Sequence, residues 1–145
     1  MKRDIIVHAY LFHKSEVLLV KDKDTGLWMP PGGKVREDER LLRALLRNLQ
    51  KKVNYHPEMK YGEFESYPIG DRSELPKSVS IHENYLEERT ELIIEFVGKV
   101  HSKSKLRNNR HYYTDAGFFR VREIDQDTFI PVVIREKVRE AWRLV

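Results

Sequence analysis

The sequence predicts a single α/β domain spanning residues 1–145, and three stretches carry that prediction. Ile5 to Phe12 alternates as a strand, with Ile5, Val7, Ala9 and Leu11 on one face and Ile6, His8, Tyr10 and Phe12 on the other. Leu42, Leu45, Leu46, Leu49 and Val53 recur at helical spacing and form an apolar stripe. Glu91 to Val100 (ELIIEFVGKV) is a further strand. Strands and helices thus follow one another as strand, strand, loop, helix, several strands, helix.

Composition narrows the class. Hydrophobic residues make up 40% of the chain and charged residues 34%, as expected of a soluble globular domain with a heavily charged surface. There is no cysteine, so disulfides and thiolate metal sites are excluded. That is compatible with a reducing cytosol, and a cytoplasmic location is expected. The N-terminal MKRDIIVHAYLFHKSEVLLV is broken by His8, His13, Lys14 and Glu16; it reads as strands, not as a signal peptide or membrane span. A net charge of +4 suits a polyanion partner and equally suits simple solubility.

The elements follow in order. Both faces of Ile5–Phe12 are largely apolar, which predicts a central strand; His8 reads as a hydrogen-bonded core histidine, with ligand contact by His8 and Tyr10 as the alternative. His13 to Glu16 turns the chain, and Glu16 to Lys21 returns it. Trp28 opens a Pro-Pro-Gly-Gly loop. Asp38 is the expected N-cap of the helix, with Glu37 and Glu39 suited to its positive end, and Asn54 is the expected stop. Arg40, Arg43, Arg47 and Lys51 fall away from the apolar stripe. A strand is expected around Met59 to Ser66, a loop over Tyr67 to Lys77, and a strand over Val79 to Leu86, where neighbouring His82 and Glu83 point to opposite faces. Gly98 suggests a bulge. The basic run His101 to Arg110 reads as a hairpin loop or disordered tip beside His111, Tyr112 and Tyr113, and a strand follows to Val121. Pro131 starts the last helix, whose expected stripe is Val132, Val133, Lys137, Val138, Ala141, Trp142 and Val145.

The stretch Trp28 to Tyr55 resembles the Nudix box, G-x5-E-x7-R-E-U-x-E-E-x-G-U, where U is bulky and aliphatic. Gly33, Glu39, Arg47 and Leu49 fall on its Gly, Glu, Arg and first aliphatic position, and Trp28, Pro31 and Gly32 match the common W-x-x-P-G-G lead-in. The resemblance implies a Nudix α/β/α sandwich, with a mixed β-sheet between helices. It also implies a carboxylate platform on the helix, holding magnesium or manganese against a pyrophosphate. Here the three helix glutamates map onto Asn48, Lys51 and Lys52, the late Gly onto Asn54 and the last aliphatic residue onto Tyr55.

Positions 48, 51 and 52 share one helix face. Hard divalent cations take oxygen ligands, and an ammonium group has no lone pair. Three negative charges are replaced by two positive ones, so the face should repel a divalent cation and attract an anion. No cofactor and no metal are expected. The first reading is a protein without ordinary hydrolase activity that binds a nucleotide, RNA or a partner protein through Arg43, Arg47, Asn48, Lys51 and Lys52, with Lys34 and Arg36 in reach of phosphate. The bland reading of the same cations is a solvated helix flank. The alternative is a pyrophosphate hydrolase, with magnesium or manganese, using relocated acids: Glu39, Glu63 and Glu65 first, then Glu37, Glu83, Glu87, Glu88 and Asp115. Glu63 and Glu65, two apart on an expected strand, would share a face. Arg47 can pair with Glu39. A homodimer is compatible with the resemblance.

Overall fold

The computed structural model describes residues 2–61 and 75–145. In chain order these are β1 (Lys2–His13), β2 (Glu16–Asp22), β3 (Trp28–Met29), β4 (Gly32–Lys34), α1 (Leu41–Val53), β5 (Glu58–Met59), β6 (Ser78–Tyr85), β7 (Arg89–Lys99), β8 (Tyr113–Arg120), a 3-10 turn (Val121–Gln126) and α2 (Val132–Trp142). The strands form one mixed sheet with the path β3-β2-β1-β7-β5; β4 also pairs with β1, β6 with β7 and β8 with β2.

β1 is central, as its two apolar faces predict. It runs parallel to β7 from Lys2↔Arg89 to Phe12↔Lys99. Its other edge is shared: β2 takes Leu11 to His13, and β4 takes Ile6 to His8 after the Pro-Pro step. Alternation then sorts the core into two layers. Val7, Ala9 and Leu11 pack with Ala44, Leu45, Leu49 and Val53 of α1. Tyr10 and Phe12 pack with Val138 and Ala141 of α2. One helix therefore covers each face, and the α/β/α sandwich is the observed architecture. His8 is a core histidine: its Nδ1 lies 3.2 Å from buried Glu95, which also accepts from Tyr10 at 3.3 Å.

Several expectations need correction. α1 begins at Leu41 with Arg40 at the N-cap and no acid in its first turn, so Asp38 caps nothing. Residues 36–39 are instead a separate turn, closed by Glu39, which accepts from the Arg36 amide at 3.1 Å while its own amide donates back to the Arg36 carbonyl. Gly98 sits in regular register with Leu11 and Met59; no bulge occurs there. A Cβ at Gly98 would lie 3.0 Å from Met59 Sδ and 3.1 Å from the Glu58 carbonyl, so close packing accounts for the glycine. α2 buries Val138 and Ala141 with Ile134 and Val145 packed beside them, while Val132, Val133 and Trp142 are exposed. The expected stripe was rotated towards its flank. The 3-10 turn after β8 was not anticipated. Of the strand expected at Met59 to Ser66, only Glu58–Met59 lies within the described residues.

Candidate functional site

The Pro-Pro-Gly-Gly loop and the 36–39 turn bring β4 against α1, and a cleft of about 980 Å³ opens between them and the start of β1. Lys34, Arg36, Arg47, Asn48, Lys51 and Lys52 line it, joined by Tyr112. These are six of the seven ligand-binding residues expected from the sequence. Arg43 is not among them; it lies with Leu42, Leu46 and Arg47 around a second depression. Arg47 borders both, so Arg43 alone of the expected cations falls outside the cleft.

Glycine makes the approach of β4 to the helix feasible. A Cβ at Gly33 would fall 2.2 Å from Asn48 Oδ1 and 2.5 Å from Lys52 Nζ, and one at Gly32 would fall 1.9 Å from the Val7 carbonyl. The two residues opposite Gly33 are fixed by hydrogen bonds. Asn48 is buried and donates to the Ala44 carbonyl at 2.8 Å and to the Lys34 carbonyl at 3.4 Å. Lys52 donates to the Gly32 carbonyl at 2.8 Å. Tyr113 grips the same peptide, donating to that carbonyl at 3.0 Å and accepting from the Gly32 amide at 3.2 Å.

The basic run His101 to Arg110 is an ordered clamp on the helix end. Asn54 stops α1 in the left-handed conformation, φ 67°. The amide of Arg107 then caps the Val53 carbonyl, that of Asn109 caps Lys52, and the Asn109 side chain reaches Lys51. These bonds satisfy carbonyls that a helix end leaves open. They also hold Lys51 and Lys52 beneath Tyr112, whose ring centroid lies 5.3 Å and 4.7 Å from their amines. Nothing local in the sequence announced Asn109 or Tyr113; their partners lie 58 and 81 residues away.

Electrostatics divides the charges into spent and available groups. Arg47 forms a two-pronged pair with Glu39 at 2.7 and 2.8 Å, as the sequence allowed, and Glu39 is pushed down to about 2, chiefly by that bond. Lys34 pairs with Asp4 at 3.1 Å. Lys51 and Lys52 have no carboxylate within 4 Å among the described residues. Lys52 is pushed down to about 8, by burial first and then by Arg47 and Lys51.

The relocated acids are dispersed. Glu37 and Glu39 border the cleft; Glu83 pairs with Arg3 at 3.1 Å; Glu87, Glu88 and Asp115 are exposed. His82 bonds Ser80 at 2.9 Å and does not engage Glu83. Glu63 and Glu65 lie outside the described residues. Among the described residues, no three His, Asp or Glu side chains are grouped to hold a metal ion. No described helix is long and apolar enough to cross a membrane.

The NUDIX domain family model matches residues 2–137, and the chain belongs to that family. A MutT protein from Methanosarcina mazei Go1 superposes with a TM-score of 0.71 at 19% identity, over 98% of this chain and 94% of its own. A NUDIX-family hydrolase from Clostridium perfringens gives 0.83 at 15% identity, over 99% of each chain. The E. coli ORF135 protein gives 0.66 at 21% identity, over 99% of this chain and 90% of its own. At these identities the likeness is one of fold. No curated protein matches the sequence.

Proposed function

We propose that this NUDIX-family chain binds a phosphate-bearing ligand of nucleotide size in the cleft over α1, in direct contact with protein cations and without a divalent metal on that helix. One observation supports the reading above the others: Lys51 and Lys52, where the family's helix carboxylates would stand, have no described carboxylate partner and face the concave side. The donor set does not fit magnesium or manganese. The neighbouring ammonium groups offer no lone pair, so positions 48, 51 and 52 supply a single side-chain oxygen, that of the Asn48 amide, too few for either ion.

Cleft geometry favours a compact anion over an extended polynucleotide. Arg43 lies outside the cleft and the Arg47 charge is met by Glu39, so fewer free cations remain to track an RNA backbone. Within the cleft, Lys51, Lys52 and Arg36 are the groups to meet phosphate oxygens, and the Asn48 amide keeps the floor neutral. Tyr112, half-buried in the cleft lining, gives the ligand an aromatic wall.

Calorimetric titration of pyrophosphate, ADP-ribose and a short RNA, with and without magnesium, tests this. Lys51→Glu/Lys52→Glu should weaken pyrophosphate and ADP-ribose at least tenfold, and magnesium should not strengthen either. Unchanged affinity in the double variant refutes direct phosphate contact. Magnesium- or manganese-dependent turnover of a nucleoside-diphosphate-linked substrate, abolished by replacing Glu37, Glu39, Glu63 or Glu65, replaces the binding reading with that of a hydrolase.

A further inference from the structure

Lys52 differs from the chain's other lysines in where its amine sits. The group reaches back from the last turn of α1 to the Gly32 carbonyl at 2.8 Å, under the rings of Tyr112 at 4.7 Å and Tyr113 at 5.9 Å. Asn48 closes one side, and Arg47 and Lys51 border it with like charge. The amine is thereby partly withdrawn from water and has no described carboxylate beside it, yet it opens onto the cleft. That is the setting in which a lysine gives up its proton and becomes a nucleophile.

We propose that Lys52 is a reactive amine that condenses with the aldehyde of a phosphorylated aldehyde held in the cleft, forming an imine. The phosphate end would be met by Lys51 and Arg36, so the inference rests on the anion reading above. The chemical class is an aldehyde carrying a phosphate, including the open-chain form of a phosphorylated reducing sugar.

The step balances without any further reagent. The lone pair of neutral Lys52 adds to the carbonyl carbon, giving a carbinolamine. The two amine hydrogens leave with the carbonyl oxygen as water, and a C=N bond replaces C=O. At pH 8 about half of the Lys52 amines carry that lone pair, against about 0.3% for an ordinary lysine. The Gly32 carbonyl fixes the nitrogen, and Tyr113, which holds that carbonyl from the other side, keeps it in place.

The test uses the intact protein with substoichiometric pyridoxal 5′-phosphate, and ribose 5-phosphate in a parallel arm, each followed by borohydride reduction and peptide mapping. Thirteen lysines compete for the label. Lys52 should carry at least tenfold more than the median of the other twelve, and pyrophosphate should suppress it. Selectivity with the pyridoxal reagent alone assigns an aromatic aldehyde, and selectivity in both arms assigns phosphorylated aldehydes generally. Label spread evenly, or concentrated on another lysine, overturns the proposal. Pyrophosphate calorimetry separates the two readings: binding without selective labelling sinks the imine alone. Selective labelling that pyrophosphate does not slow upholds the reactive amine and sinks the anion site. Because the map is read on wild-type protein, no folding-compromised variant is needed; Lys23→Arg, in the exposed turn after β2 and away from the cleft, should leave Lys52 labelled and serves as the control.

Discussion

Replacing Lys52 with methionine should stabilise the protein at neutral pH, and the sign follows from burial. The amine titrates near 8 when folded, against an ordinary 10.5. Below pH 8 it is charged in both states, and the folded state bears the full desolvation penalty. As pH climbs from 8 to 10.5 the folded protein releases the proton first, and stability rises. The difference corresponds to about 3.4 kcal/mol at full value, reduced to about 1–2 kcal/mol because the amine still meets solvent in the cleft. Methionine keeps an unbranched chain of similar length against the Tyr112 and Tyr113 rings. It also leaves no orphaned carbonyl, since Gly32 still accepts from Tyr113 at 3.0 Å. Urea unfolding at pH 7, 8 and 9.5 reads the effect. Wild type should gain about 1 kcal/mol across that range, and Lys52→Met should start about 1–2 kcal/mol higher and lose this rise. The range stops short of 10 because tyrosines begin to ionise there; buried Tyr10 and Tyr113, held above their usual value, lower stability at higher pH. A variant less stable than wild type at pH 7, or one with the same pH slope, would falsify the assignment of strain to Lys52.

Three further outcomes follow from the same geometry. Pyrophosphate bound beside Lys52 should raise its pKa, so calorimetry at pH 8.5 in buffers of different ionisation enthalpy should show net proton uptake, absent in Lys52→Met. Glu39→Gln should cost about 1–2 kcal/mol by loosening Arg47 and the 36–39 turn. That stabilisation is present above the ordinary carboxylate pKa of 4.5 and is lost as pH falls towards 2, so the gap to wild type should close in acid unfolding curves. Gly32→Ala, whose Cβ would meet backbone at 1.9 Å, should lose about 3 kcal/mol or fail to accumulate, whereas Gly117→Ala, with nothing within 4 Å, should stay within about 1 kcal/mol of wild type in urea midpoint.

What could be read in advance was what periodicity encodes. The two-faced pattern of β1 announced a central strand, and Asn54 announced the helix end because few other residues accept its conformation. Other features depended on distant partners. Asp38 and Leu41 compete for the helix start, and the competition is settled by Glu39 folding back onto Arg36, a contact that composition does not reveal. The stripe of α2 was misplaced because Val132, Val133 and Trp142 are apolar but face outwards, and apolar character alone does not set rotation about a helix axis. At the site, Lys51 and Lys52 could be placed on one face by spacing. Their confinement beneath Tyr112 by the 101–110 clamp could not, since its bonds join distant residues, 58 apart for Asn109 and Lys51. Arg43 shows the limit of helical spacing: it groups Arg43 with Arg47, and the two do share a depression, but only Arg47 also reaches the cleft.

The parallel pairing of β1 with β7 bears on how the chain is made. Partners such as His8 and Glu95 are 87 residues apart, and every residue from 2 to 12 has its parallel partner in 89–99. Residues up to 99 must be made before the middle of the sheet can be completed. Until then the most water-averse segment of the molecule has β2 and β4 on one flank and an open edge on the other. Such non-local pairing is slow to commit, and it leaves an apolar strand edge open to aggregation in the meantime. Truncation before residue 99 should therefore leave an aggregating fragment and not a smaller version of the domain.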